Sequence, residues 1–246
     1  VHYVPLKQKQ QKGKRNKYFQ LIQTQQIFVA FFFVMFERLF NLLFRSKSKE
    51  AHPDSEMKYL IVGLGNIGAS YENTRHNIGF KIADALAADL AVQFSSERYG
   101  ALATAKHKGR IYLILKPNTF MNLSGQAIKY WMQKEKIDLE HLLVILDDLH
   151  IDFGTVRTKL KGGSGGHNGL KSIEAELSTV DYYRMRVGIG DSFMKGNQVD
   201  FVLGNWTDEE FSKLQLIQKH CVSAIKTFSF LGIEKMMSEF NKKITL

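Results

Sequence analysis

The strongest constraint on the fold is a pattern that begins at Met57. Short apolar runs of strand length alternate there with segments whose apolar residues recur at helical spacing. Leu142–Leu146 is the clearest run, apolar throughout and ended by Asp147 and Asp148. A strand apolar on every residue must be covered on both faces, as a central strand of an α/β layer is. Lys58–Val62 is a second run, ended by Gly63, while Leu102–Ala105 and Ile111–Leu115 are joined through His107–Arg110. Val156–Leu160 and Arg184–Ile189 alternate, as strands with one solvent face do. Between these runs, Ile78–Leu90 carries Ile78, Ile82, Ala85, Leu86 and Leu90 at helical spacing. Leu123–Gln133 has the apolar face Ala127, Ile128 and Trp131, and Leu170–Leu177 is helical. Thr207-Asp-Glu-Glu210 is a capping box opening a helix that should stop at Gly232. The pattern predicts one α/β domain over residues 57–246, with a twisted, mostly parallel (mixed) sheet flanked by helices.

Residues 1–56 read differently. A Lys/Gln-rich stretch to Lys17 precedes the apolar run Ile27–Phe36, which Glu37 and Arg38 interrupt. That run is well short of the roughly 20 apolar residues that span a bilayer. A basic start before an apolar core resembles a signal peptide, but no small-residue cleavage site follows. The segment reads as an N-terminal extension outside the fold: upstream sequence ahead of a start at Met57, or second, an amphipathic anchor lying on a membrane surface. It also holds ten Lys and Arg against four Asp and Glu, whereas residues 57–246 hold 24 against 20. Most of the net charge of +10 therefore lies outside the domain, and bulk charge alone is weak evidence for a polyanion partner. The single cysteine, Cys221, excludes an internal disulfide and a Cys-based zinc cluster, and permits a reducing, cytoplasmic setting.

Two glycine-rich motifs invite familiar readings. Gly63-Leu-Gly65-Asn-Ile-Gly68 is a literal G-x-G-x-x-G after a strand, but a dinucleotide site needs a helix to begin inside that turn. Here the polar stretch Ala69–Asn77 intervenes, and the acidic residue at the right distance, Asp84, sits within a helix. Gly162-Gly-Ser164-Gly-Gly166 matches a nucleophile elbow, with His220 available downstream. Its preceding strand carries Arg157, Lys159 and Lys161, however, whereas an elbow strand is central and apolar, and His220 falls on a helix. A Walker loop fails because Gly169 and Lys171 are separated.

Polar residues suited to hydrolysis recur at the ends of the apolar strands: Asn66 and His76 after the first, Met121-Asn122 after Ile111–Leu115, Asp147 after Leu142–Leu146, and His167-Asn168 beyond the glycine run. The segments VGLGNIGASYENTRHNIGF, KPNTFMNLSGQAI, LDDLHIDFGTVRTKLKGGSGGHNGLKSI, YYRMRVGIG and VDFVLGNW resemble the bacterial-type peptidyl-tRNA hydrolases, in order and spacing, from Met57 almost to the C-terminus. The resemblance implies a single α/β domain with no cofactor and no metal. It also implies a monomeric cytoplasmic enzyme that cleaves the ester between peptide and tRNA and recycles tRNA from aborted translation. Residue by residue, it implies His76 as the catalytic histidine, Asp147 as the carboxylate orienting it, and Asn66, Asn122 and Asn168 as active-site amides. Tyr71, Phe120, Met121 and His167 match cleft-lining positions. Lys159 and Arg186 match the pair that clamps the tRNA 5′-phosphate, with Arg157 where relatives can have lysine. Ser164 departs from a glycine turn that is richer in histidine in the family.

Those roles fit the chemistry. An ester is an activated acyl group, so water deprotonated by neutral imidazole is a sufficient nucleophile, and an Asp on the other ring nitrogen fixes the tautomer. Amide side chains can donate to the developing oxyanion. Two alternatives stay open: an RNA-binding relative that has lost hydrolysis, and a serine esterase using Ser164.

Overall fold

The computed structural model describes residues 57–194 and 196–245, so both readings of residues 1–56 lie outside the described residues. The apolar runs become a seven-stranded sheet: β1 (Met57–Gly63), β2 (Ser95–Glu97), β3 (Gly100–His107), β4 (Arg110–Pro117), β5 (Leu142–Asp148), β6 (Val156–Lys159) and β7 (Tyr183–Gly188), in the order β2-β3-β4-β1-β5-β7-β6. The four central strands β4, β1, β5 and β7 are parallel, and antiparallel strands close both edges. The sheet is thus mixed, as expected. Lys108 and Gly109 turn the β3–β4 hairpin with φ of 48° and 74°, the left-handed geometry a tight hairpin needs.

Among the described residues the sheet is flanked by α1 (Ile78–Asp89), α2 (Ser124–Glu135), α3 (Asn168–Leu177), the short α4 (Gln198–Leu203) and α5 (Asp208–Phe240). Alternate residues of β1 and β5 enter two separate cores. Tyr59, Ile61, Leu143 and Ile145 pack with α1 and α5 through Ile82, Leu86, Ile217 and Ile225. Leu60, Val62, Leu142 and Val144 face α2 and α3 through Ile128, Trp131 and Ile173. Each fully buried Leu, Ile or Val contributes roughly 1.5–3 kcal/mol. This double burial is why β5 is apolar on every residue until its last two. The Thr207–Glu210 capping box is formed at the start of α5. Gly232 leaves helical geometry, at φ 84° and ψ 172°, so the helix opened by the capping box stops there as expected, and a second helical stretch follows across the kink to Phe240.

Gly63 and Gly79 explain the first glycine motif without a nucleotide. A Cβ on Gly63 would lie 2.2 Å from the Gly79 carbonyl oxygen, and one on Gly79 would lie 2.4 Å from that of Leu64. The glycines let α1 start against the end of β1. Among the described residues, no helix is long and apolar enough to cross a membrane.

Candidate active site

The chain passes from β1 out to β4 and then returns through α2 to β5 on the other side of β1. The reversal leaves a crevice at the carboxyl ends of β1 and β5, the position where open α/β sheets place their ligands. Asp147, at the end of β5, is 4% exposed there. His76 reaches it from a 3-10 turn, Arg75–Asn77, that leads directly into α1. The His76 Nδ1–Asp147 Oδ1 distance is 2.8 Å. Asp147 lacks a proton to give, so Nδ1–H donates and Nε2 is left as the basic nitrogen.

His167 completes the arrangement in a way the sequence did not reveal. It is the N-cap of α3, where its Nδ1 accepts from the backbone N–H groups of Gly169 (3.1 Å) and Leu170 (3.4 Å). An acceptor at Nδ1 puts the proton on Nε2, which donates to the same Asp147 Oδ1 at 3.3 Å. Burial opposes ionisation of Asp147, but the charge of His76 and hydrogen bonds from His167 and His76 outweigh it and hold the carboxyl well below the usual range. Burial likewise pushes His76 down, yet Asp147 outweighs it and leaves the imidazole above its ordinary value. The ligand atoms of His76, Asp147 and His167 lie within 4.8 Å of one another, so the group has metal-ligand spacing. The two ring nitrogens involved are already N–H donors to one oxygen, the arrangement a general base requires.

A cleft of about 410 Å³ is lined by Asn66, His76, Met121, Asp147, His167 and Asn168, and also by Lys159, Lys161, Arg184 and Arg186. Met121 is buried against Gly169, where a Cβ would come within 2.7 Å of its sulfur. Tyr71, Phe120 and Asn122 are not brought into that lining. Tyr71 is half-buried at the end of a 3-10 turn, while Asn122 and Phe120 are exposed, the latter by 73%. Ser164 lies on the cleft, but β6 before it is an edge strand, and His220 Nε2 is engaged 3.0 Å from the Phe240 carbonyl. The serine-esterase reading therefore lacks its base.

The basic residues sit on one face of the β6–β7 ladder. Arg157 pairs with Arg186 and Lys159 with Arg184, so Lys159 and Arg186 are diagonal neighbours. Arg157 is drawn off, donating to the Asn241 carbonyl, and does not line the cleft. Arg184 is buried and ties the glycine loop to the sheet, donating to the carbonyls of Gly163 and Val180. Arg186 Nε donates to Asp148 Oδ2 at 2.5 Å.

Residues 60–245 match the sequence model of one family, Peptidyl-tRNA hydrolase. The chain belongs to the peptidyl-tRNA hydrolase family. A curated peptidyl-tRNA hydrolase of Porphyromonas gingivalis is 55% identical over 185 residues, which is 75% of this chain and 100% of that protein. The corresponding protein of Phocaeicola vulgatus is 54% identical over 187 residues, 76% of this chain and again 100% of its own length. The crystal structure of peptidyl-tRNA hydrolase from Acinetobacter baumannii superposes with a TM-score of 0.72 at 32% identity, covering 77% of this chain and 100% of that one.

Two supports of this peptidyl-tRNA hydrolase fold escaped the sequence reading. Asn77 clasps Asn66 by its backbone: Oδ1 accepts from the Asn66 N–H at 2.8 Å, and Nδ2 donates to its carbonyl at 2.9 Å. Arg75 is buried, ion-paired to Glu210 at 2.7 Å and 4.3 Å from the Phe201 ring centroid, which fixes the turn carrying His76. Their partners lie far along the chain or on the backbone, so no local spacing marks them. His167 did offer a signal, a polar side chain immediately before a helix start.

Proposed function

We propose that this protein hydrolyses the ester joining a peptide to tRNA, with His76 as general base. His76 Nε2 removes a proton from water as the water oxygen attacks the ester carbonyl. The tetrahedral intermediate then expels the ribose oxygen, which takes the proton back from the imidazolium. Asp147 stabilises that imidazolium and, with His167, holds the imidazole in one tautomer. Asn66 and Asn168, on the cleft, are assigned to the oxyanion and the peptide backbone, with Met121 beside them and Asn122, Tyr71 and Phe120 as substrate contacts beyond the cleft lining. Lys159 and Arg186 take the tRNA 5′-phosphate, with Arg157 as an outlying base. The domain starts at Met57, where β1 begins, and acts as a cytoplasmic monomer.

The observation that carries the reading is the 2.8 Å contact of His76 with a buried aspartate on a cleft that also holds four cationic side chains. Turnover of peptidyl-tRNA by His76→Ala and Ser164→Ala tests it. The first should lose about 100-fold or more, as expected for loss of a general base, and the second should stay active. Inactive Ser164→Ala beside active His76→Ala would install the serine mechanism, and tRNA binding without cleavage by the unmodified protein would leave an RNA-binding relative.

A further inference from the structure

Asp147 and Asp148 are consecutive at the end of β5, and the second has no part in the mechanism above. Both of its carboxylate oxygens are engaged. Oδ1 accepts from the His150 N–H at 2.9 Å, which fixes the carboxylate on its own turn. Oδ2 accepts from Arg186 Nε at 2.5 Å, across 38 residues of chain, with both side chains largely shielded from solvent. Among the described residues nothing accepts from the two terminal amino groups of Arg186, and Arg186 lines the cleft. A guanidinium held at Nε and open at its outer edge presents a fork suited to two oxygens of one phosphate. An acidic neighbour opposes an incoming anion electrostatically, so its presence is useful only if direction matters more than bulk charge.

We propose that Asp148 is a positioning residue for the phosphate clamp. It tethers Arg186 so that the clamp recognises a terminal phosphate by geometry, and one strand end then organises both catalysis through Asp147 and recognition through Asp148. The proposal rests on the reading that Arg186 contacts the 5′-phosphate.

The test measures kcat and KM for the full chain on peptidyl-tRNA bearing a 5′-phosphate or a 5′-hydroxyl, over a salt series. Taking the ratio between the two substrates cancels any disturbance of the neighbouring catalytic pair. Arg186→Ala should abolish the preference for the phosphorylated tRNA and make the log-log salt slope shallower by about one unit or somewhat less. Asp148→Ala should shrink the preference by roughly tenfold, through KM, since a directed charge-assisted hydrogen bond is lost. Its salt slope should match that of the unmodified protein, because the arginine charge remains. Asp148→Asn, which keeps one acceptor, should fall between. An undiminished or increased preference in Asp148→Ala would overturn the positioning role. Preference surviving in Arg186→Ala would instead bring down the clamp reading, and the inference with it.

Discussion

At His76 two opposed effects act on one imidazole. Burial favours the neutral ring, whereas the charge and hydrogen bond of Asp147 favour the imidazolium, and the carboxylate prevails. The value of His76 is therefore raised above 6.5. A base must be neutral to take a proton, so activity is lost as pH falls through that raised value and gained as pH rises through it. The kcat/KM profile should inflect above pH 6.5, the ordinary histidine value. Asp147→Asn removes the carboxylate charge and leaves only a neutral amide acceptor against burial, so its inflection should move below that of the unmodified protein. The plateau should drop by at least about tenfold, because the imidazolium is no longer stabilised in the transition state. A flat profile between about pH 5.5 and 8, or an inflection that ignores the substitution, would remove His76 as the base. At this scale the sequence was read through its family motifs: His76, Asp147 and the strand-end asparagines stand inside recognisable segments. Asn77, Arg75 and the tether on Arg186 stayed hidden because each is defined by a tertiary contact, such as the 135-residue separation of Arg75 from Glu210.

Among the elements, α1 shows how close packing overrides local propensity. Alanine at Gly79 would favour the helix by about 1 kcal/mol. Its Cβ, however, would lie 2.4–2.6 Å from the Leu64 oxygen, the Leu64 nitrogen and the Ile145 oxygen, backbone atoms of the residue just past β1 and of β5. Relieving that contact means lifting α1 off β1 and β5, for which overpacking of about 1–3 kcal/mol, or more, is the scale. Gly79→Ala should thus be destabilising by roughly 2 kcal/mol net, measured by urea unfolding. Gly109→Ala is the comparison: nothing lies within 4 Å, and only its φ of +74° resists the side chain. That change should cost about 1 kcal/mol. Gly109→Ala proving the more damaging would mean that α1 moves away at little cost. The central parallel strands were legible because double burial writes itself as unbroken apolar sequence. β2 (Ser95–Glu97) is three exposed residues with no such signature, and α4 (Gln198–Leu203) has no buried residue to mark it. Gly232 was legible as a break, but a glycine specifies a left-handed residue and not what the chain does afterwards.

For the molecule as a whole, the open question is the division at Met57. β1 starts there and pairs on both sides, with β4 along its length and with β5 from Leu60, so the sheet has no vacant position beside it. The family match begins at residue 60, within that strand. Every residue assigned to chemistry or phosphate binding lies downstream. A chain beginning at Met57 should accordingly unfold in one cooperative transition, with a stability within about 0.5 kcal/mol of the full chain, and retain kcat. KM is a separate matter, because residues 1–56 carry ten Lys and Arg against four Asp and Glu. That surplus should draw a polyanion from a distance, an attraction screened over about 8 Å at physiological ionic strength. The shortened chain should therefore show a KM raised about two- to threefold at low salt, converging on the full-length value near 0.15 M salt. A KM difference that persisted at high salt would point to a direct contact with tRNA instead of long-range attraction. Loss of cooperative unfolding, or a fall in kcat, would show that the first 56 residues belong to the folded domain.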